Sequence, residues 1–228
     1  MEFSVQTANP AKAETPCLLV PVFKGGDLLP TVAKLDDASE RLIGQLLERG
    51  DFDAALGNVQ MVPFAPGLGA ERILLVGLGE REKCQEAAFI KALDAAMTAL
   101  VKLPIDEASV VFGDVPLADR DPAWKARKVM EAAERAIYRF DQFKSSPAPA
   151  PSLAKLTLII SDADAVPQVK QGALVGNAIG RGINYTRTLG NLPGNVCTPS
   201  YLAEQAEQLG RDSQGALEVD ILDEEALE

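Results

Sequence analysis

RILLVGLGERE, residues 72–82, runs from an unbroken apolar stretch into two glycines and then a charged segment. A run with so little alternation does not suit a sheet with one wet face. It reads as a strand covered on both sides. The same reading applies to CLLVPV at 17–22 and LTLII at 156–160. Around them the strand candidates are Phe3–Thr7, Cys17–Val22, Asn58–Phe64, Arg72–Gly77, Ser109–Phe112 and Leu153–Ile160. Helical periodicity fills the intervals, and alternation of this kind is the signature of an α/β domain.

The first helix is expected over Ala38–Arg49, with Asp37 and Glu40 as a capping box and Gly50 as its stop. A second is expected near Glu82–Val101, with Phe89, Leu93, Ala96, Met97 and Leu100 on one face. A third covers about Pro122–Phe140, with Asp121 as its N-cap and Pro122 in its first turn. Val166–Leu189 is a long helical pattern carrying Gly172, Gly176, Gly180 and Gly182. Each glycine costs a helix roughly 0.5–1 kcal/mol relative to Ala, so four of them call for a close backbone approach or a break. Ser145–Ser152, SSPAPAPS, is expected to be a solvated surface loop.

Lys and Arg number 22 against 33 Asp and Glu, a net charge of −11. An acidic surface repels phosphate backbones, so nucleic acid is not an expected partner. Three widely spaced cysteines, Cys17, Cys84 and Cys197, form no CxxC pair and read as reduced thiols. No apolar run approaches the ~20 residues of a membrane span, and no secretory signal is visible, so a cytoplasmic location is expected. The chain contains no histidine. That removes the commonest general base and the commonest metal ligand, and neither a Ser-His-Asp nor a Cys-His site can be built from it.

Gly77 and Gly79 stand where a dinucleotide loop would cradle a pyrophosphate. Glu82 occupies the place of the third glycine, and acids face the position of the phosphates. A tight strand-to-helix turn is the favoured alternative. The acid pairs Asp51/Asp53, Asp119/Asp121 and Asp162/Asp164, and the run at 223–225, read as caps and turns rather than cation sites. Tyr138, Phe140, Phe143 and Trp124 read as core and rim of the third helix.

RTLGNLPGNVCTPSYLAEQAEQLG, residues 187–210, is the most specified connection in the chain. Thr198 is a sound N-cap, Pro199 fits the first helical position, and Gly210 is expected to end the helix. The segment resembles the interdomain signature of the cytosolic leucyl aminopeptidase family, R-x-L-x-N-x-P-x-N-x-x-T-P-x-x-L-A. Arg187, Leu189, Asn191, Pro193, Asn195, Thr198, Pro199, Leu202 and Ala203 meet it. Gly194 replaces a second proline usual in bacterial members. RILLVGLG and YRFDQFKS are also similar to that family's N-terminal half.

The resemblance implies an N-terminal α/β domain at 1–165, a linker helix and turn at 166–198, and the start of a catalytic domain at 199–228. It implies a mixed, mostly parallel sheet flanked by helices, similar to macro domains. The family's two divalent ions, Mn or Zn, are held by Lys, Asp and Glu in motifs downstream of Glu228. No catalytic or metal-ligating residue is therefore assigned here, and the chain is expected to be non-catalytic. The implied partners are its own catalytic domain, copies of itself in a hexamer, and peptide substrates of the parent enzyme. The alternatives are an ADP-ribose- or nucleotide-binding module built on Gly77 and Gly79, or a DNA- or protein-interaction domain.

Overall fold

A computed structural model describes residues 1–223 and 225–227. The chain divides into two units, Met1–Asn184 and Tyr185–Glu228. The first unit contains one sheet built from β1 (Glu2–Thr7), β2 (Leu18–Val22), β3 (Val59–Val62), β4 (Ile73–Gly77), β5 (Glu107–Val110) and β6 (Lys155–Ile160). Their order is β1-β6-β5-β2-β4-β3. β3 runs antiparallel to β4, and the other pairings are parallel. This is the expected mixed, mostly parallel sheet, and all six strand candidates overlap a strand, although β5 lies two residues earlier than Ser109–Phe112.

Every residue of β2 and β4 is buried, as their unbroken apolar runs require. The helices of this unit are α1 (Pro30–Ala38), α2 (Leu42–Arg49), α3 (Glu86–Leu100), α4 (Pro122–Ile137) and most of α5 (Val166–Asn191). α1 packs on β2 and α2, and α3 on β3 and β4. α3 and α4 pack side by side.

The expected helix 38–49 forms only from Leu42, as α2, and α1, at 30–38, precedes it where no helix was expected. Glu40 and Arg41 take left-handed backbone conformations between α1 and α2. Ser39 Oγ donates to the Leu35 carbonyl, closing α1, while Asp36 Oδ1 accepts the Gly44 amide at 2.9 Å. Asp36, not Asp37, therefore serves the start of α2, and it reaches that amide because residue 44 has no side chain in the way. Gly50 ends α2 in the αL conformation, as read.

α3 begins later than expected because Arg81–Lys83 form a 3-10 turn, but its apolar face is buried as the periodicity predicts. Asp121 Oδ1 accepts the Trp124 amide at 2.7 Å and caps α4. α4 stops at Ile137, and Tyr138 is extended. Phe140 and Phe143 thus lie past the helix, stacked edge-on at 5.8 Å, with Phe143 exposed. Arg139 reaches the carbonyls of Ala148 and Pro149, tying the departing chain to the exposed 145–152 loop.

Three of the five α5 glycines face α4. A Cβ at Gly172 would lie 2.7 Å from Ala123 Cα, and one at Gly176 would lie 2.8 Å from Arg127 Cα. Gly180 meets the Glu134 side chain, whereas among the described residues nothing lies within 4 Å of a Cβ built on Gly182 or Gly190.

In the second unit, α6 (Pro199–Asp212) is capped by Thr198, whose Oγ1 accepts the Tyr201 amide at 3.2 Å. Gly210 does not end it. That residue lies inside the helix, where a Cβ would meet Val219 Cγ2 at 2.9 Å. The left-handed residues Gln214 and Gly215 turn the chain instead. Asp223 Oδ1 accepts the Ala226 amide, a cap within the acidic run at 223–225, of which Glu224 lies outside the described residues.

Cys17, at the entry to β2, is fully buried. Burial pushes its thiol up to about 12, against a smaller downward pull from Arg72. The unfolded thiol ionises near 9.0. The folded state therefore keeps a proton that the unfolded state loses between those values. Stability carried by this thiol is complete below pH 9 and is expected to fall by up to about 1.4 kcal/mol per pH unit above it. Urea midpoints across pH 8–11 for wild type and Cys17→Ala check this, and equal slopes would refute it.

Candidate functional site

The connections leaving β2 and β5 depart in opposite directions, so a crevice opens beyond the carboxyl ends of the parallel strands. Next to it, beyond β5 and β6 and under α4, lies a cleft of about 240 Å³. Its floor is apolar, formed in part by Val110, Val129, Leu158 and Val169, all buried. Asp114, Lys125, Ser161 and Asp162 line it as well.

Asp114 also occupies the start of α1. Its Oδ2 accepts both the Thr31 amide, at 2.9 Å, and the Thr31 hydroxyl. Leu29, the N-cap residue of α1, has no side chain able to accept, so this carboxylate supplies the anion that the helix N-terminus favours. Ser161 Oγ lies 3.2 Å from Thr31 Oγ1 and ties the end of β6 to the same point. Lys125, on the first turn of α4, donates to the Gly113 carbonyl at 2.8 Å. Burial pushes its ammonium down, and Asp114 partly offsets that. These residues escaped the sequence reading. The available signal was a small or acidic residue directly after each of two parallel strands, at Gly113–Asp114 and Ser161–Asp162.

Gly77 and Gly79 have a different surrounding. The Gly77 amide donates to Asn58 O at 2.8 Å, and the Gly79 amide to Ala54 O at 3.0 Å. Leu78 N donates to Val22 O at 2.9 Å. A phosphate loop works through unpaired amides, and here the three successive donors serve the fold. The turn also carries Glu80, paired to Lys83 at 2.5 Å. That pair holds the Glu80 carboxyl low and the Lys83 ammonium high.

The signature residues form one helix–turn–helix connection. Arg187, Leu189 and Asn191 lie in the last turns of α5. Pro193 O accepts from Val196 N and Cys197 N at 2.8 and 2.9 Å, closing a turn that contains Asn195. Thr198 and Pro199 start α6, which carries Leu202 and Ala203. The acid pairs behave as caps: Asp53 Oδ1 accepts from the Ala55 amide and Asn58 Nδ2, and Asp162 Oδ1 from the Asp164 amide. The backbone bond, helped by Asn58, holds the Asp53 carboxyl below its usual range.

Among the described residues, no group of three or more Cys, Asp or Glu side chains is placed to hold a metal ion. The described residues do not fit a two-metal centre. No helix among the described residues is long and apolar enough to cross a membrane.

Comparison with known proteins places this architecture. Residues 19–147 match the N-terminal domain model of the cytosol aminopeptidase family. A probable cytosol aminopeptidase of Chromohalobacter salexigens is 67% identical over 228 residues, covering all of this chain and 45% of that protein. The cytosol aminopeptidase of Pseudomonas aeruginosa PAO1 is 37% identical over 227 residues, again 100% of this chain and 46% of its own. The chain thus spans about half the length of these relatives.

A solved mutant of tomato leucine aminopeptidase superposes with a TM-score of 0.81 at 20% identity, covering the whole chain and 45% of the neighbour. The bottromycin maturation enzyme BotP, solved in complex with Mn, gives 0.65 at 22% identity over 88% of this chain and 37% of its own. At these identities the likeness is one of fold. Family model, relatives and architecture agree: the chain belongs to the cytosol aminopeptidase family and carries its N-terminal domain.

Proposed function

We propose that this chain serves as the non-catalytic N-terminal domain of a cytoplasmic leucyl aminopeptidase. Its parent would be a metal-dependent exopeptidase, using Mn or Zn, that releases N-terminal amino acids from peptides during intracellular protein turnover. The observation that carries this reading is the coverage: the chain aligns end to end with cytosol aminopeptidases and spans 45% of the Chromohalobacter salexigens relative. The domain's part is assembly of a homohexamer and control of access to a site formed elsewhere.

The surface of α5 supports a packing role. Within the first unit its inner ridge is glycine and alanine, while Leu174, Val175, Ile179 and Ile183 stand exposed on the outside. A helix that is apolar on both sides is suited to burial between two bodies. We assign the outer side to the parent's own catalytic domain. The ADP-ribose reading has less support, because the amides of Gly77 and Gly79 are engaged and Asp114 sits at the α1 N-terminus. The acidic balance gives no support to a DNA partner.

Hydrolysis of Leu-p-nitroanilide with added Mn²⁺ is the test. The folded 228-residue chain is expected to give no turnover, and the longer gene product to give turnover that is lost with a chelator. Turnover tracking the 228-residue chain through purification would sink the non-catalytic reading. An inactive longer product, folded and metal-loaded, would sink the peptidase parent.

A further inference from the structure

We propose that the cleft beyond β5 and β6 binds a free α-amino acid with an apolar side chain, held between Asp114 and Lys125 with its body on the apolar floor. Such a site goes beyond the role in assembly, and it would stand whether or not the parent is a peptidase. Three features of the cleft select this class of ligand.

Size comes first. About 240 Å³ lies below the roughly 300–1,000 Å³ of pockets that take drug-sized molecules. A dinucleotide is too large, and a single amino acid is in scale. The second feature is polarity by depth. Val110, Val129, Leu158 and Val169 are buried, whereas Gly113, Ser161 and Asp162 are exposed and mark the mouth. A ligand that fits must be apolar at one end and polar at the other.

Charge is the third feature. Both signs line one small cleft: Lys125 on α4, and Asp114 and Asp162 after β5 and β6. Lys125 has three N–H donors and spends one on Gly113 O. Both bonds from Thr31 to Asp114 use Oδ2, and Oδ1 accepts no hydrogen bond among the described residues. An α-ammonium and an α-carboxylate, one carbon apart, offer complementary partners to these two groups. The Lys125 ammonium is also undersupplied with compensating charge, since burial outweighs the pull of Asp114 upon it. A ligand carboxylate would correct that imbalance. A simple carboxylic acid would leave Asp114 Oδ1 without a donor, and a simple amine would leave the remaining Lys125 donors without an acceptor.

The experiment is a ¹H–¹⁵N shift titration of the 228-residue chain with L-leucine, 3-methylbutylamine, 4-methylpentanoate and glycine. The first three share an apolar body and differ in charge, and glycine has both charges and no body. L-leucine is expected to shift amides at 110–114 and 158–165 saturably, at millimolar concentration. Each of the other three is expected to bind at least tenfold more weakly. Lys125→Met should weaken leucine at least tenfold and remove its advantage over the amine. Ala165→Leu, which fills the cleft from the start of α5 without touching either charge, should abolish the shifts in a chain whose other resonances are unchanged. The proposal is overturned by any of three results: no saturable leucine shift in the cleft, equal binding of leucine and a singly charged analogue, or unaltered leucine binding by both variants.

Discussion

Gly172→Ala is expected to destabilise the protein by about 2 kcal/mol, although the substitution improves helix propensity. The two effects have opposite signs and can be weighed. In an open helix, Ala in place of Gly gains roughly 0.5–1 kcal/mol. At position 172, however, the new Cβ would fall 2.7 Å from Ala123 Cα and closer still to the Ala123 carbonyl oxygen. These are backbone atoms and cannot rotate away, so α4 and α5 must separate. Adding a methyl group to a filled contact costs typically about 1–3 kcal/mol, and more where nothing can move.

The same clash awaits at Gly176, against Arg127. Glycines four residues apart on α5 meet residues four apart on α4, a ridge-on-ridge contact whose two sites share one helix separation. The double variant should therefore cost less than the sum of the single ones. Gly182→Ala is the internal control. Among the described residues nothing lies within 4 Å of its Cβ position, so propensity should win and the variant should gain up to about 1 kcal/mol. Urea unfolding midpoints of the three variants decide the matter. If Gly172→Ala raised the midpoint as Gly182→Ala does, the close contact of α4 with α5 would be wrong.

The glycines of α5 also show what can be read from a sequence of this kind. Their number announced a close approach, and three of the five have one. Nothing local distinguished Gly182, because the difference lies in what stands opposite. β2 and β4 were legible because burial on both faces leaves only apolar residues, a property visible along the chain itself. α1 was not: Leu29 offers no capping side chain, and the carboxylate at the start of that helix, Asp114, comes from a distant segment. The start of α2 at Leu42 rather than Ala38 depends on Asp36 reaching the Gly44 amide across the turn.

The cleft was hidden for the same kind of reason. Asp114, Thr31, Lys125 and Ser161 come from four separate segments, and only the strand order brings them together. The signature at 187–203 was legible as capping chemistry at Thr198 and Pro199. At Gly210 the same logic failed, because a glycine that ends a helix and one that admits a neighbouring side chain look alike in sequence.

Gly77→Ala is expected to cost about 3 kcal/mol or more, and to act on folding rather than on any ligand. Gly77 ends β4, which is buried along its whole length between β2 and the edge strand β3. A Cβ there would lie 2.5 Å from Ala54 C and 2.6 Å from Ala54 O, with the Ala55 carbonyl oxygen nearer still. The 54–58 segment cannot simply retreat. Gly57 N donates to Gly77 O and Gly77 N to Asn58 O, at 2.9 and 2.8 Å, while Ala54 O accepts from Gly79 N. Relieving the clash would break bonds that satisfy buried backbone groups, each costly to leave unmade. Against a typical total of 5–15 kcal/mol, that is a large fraction of the stability. A phosphate-binding glycine would behave otherwise: the variant would keep its urea midpoint and lose affinity for ADP-ribose measured by calorimetry. A lowered midpoint, with no ADP-ribose heat in the wild type, would place this glycine among the residues that close the sheet.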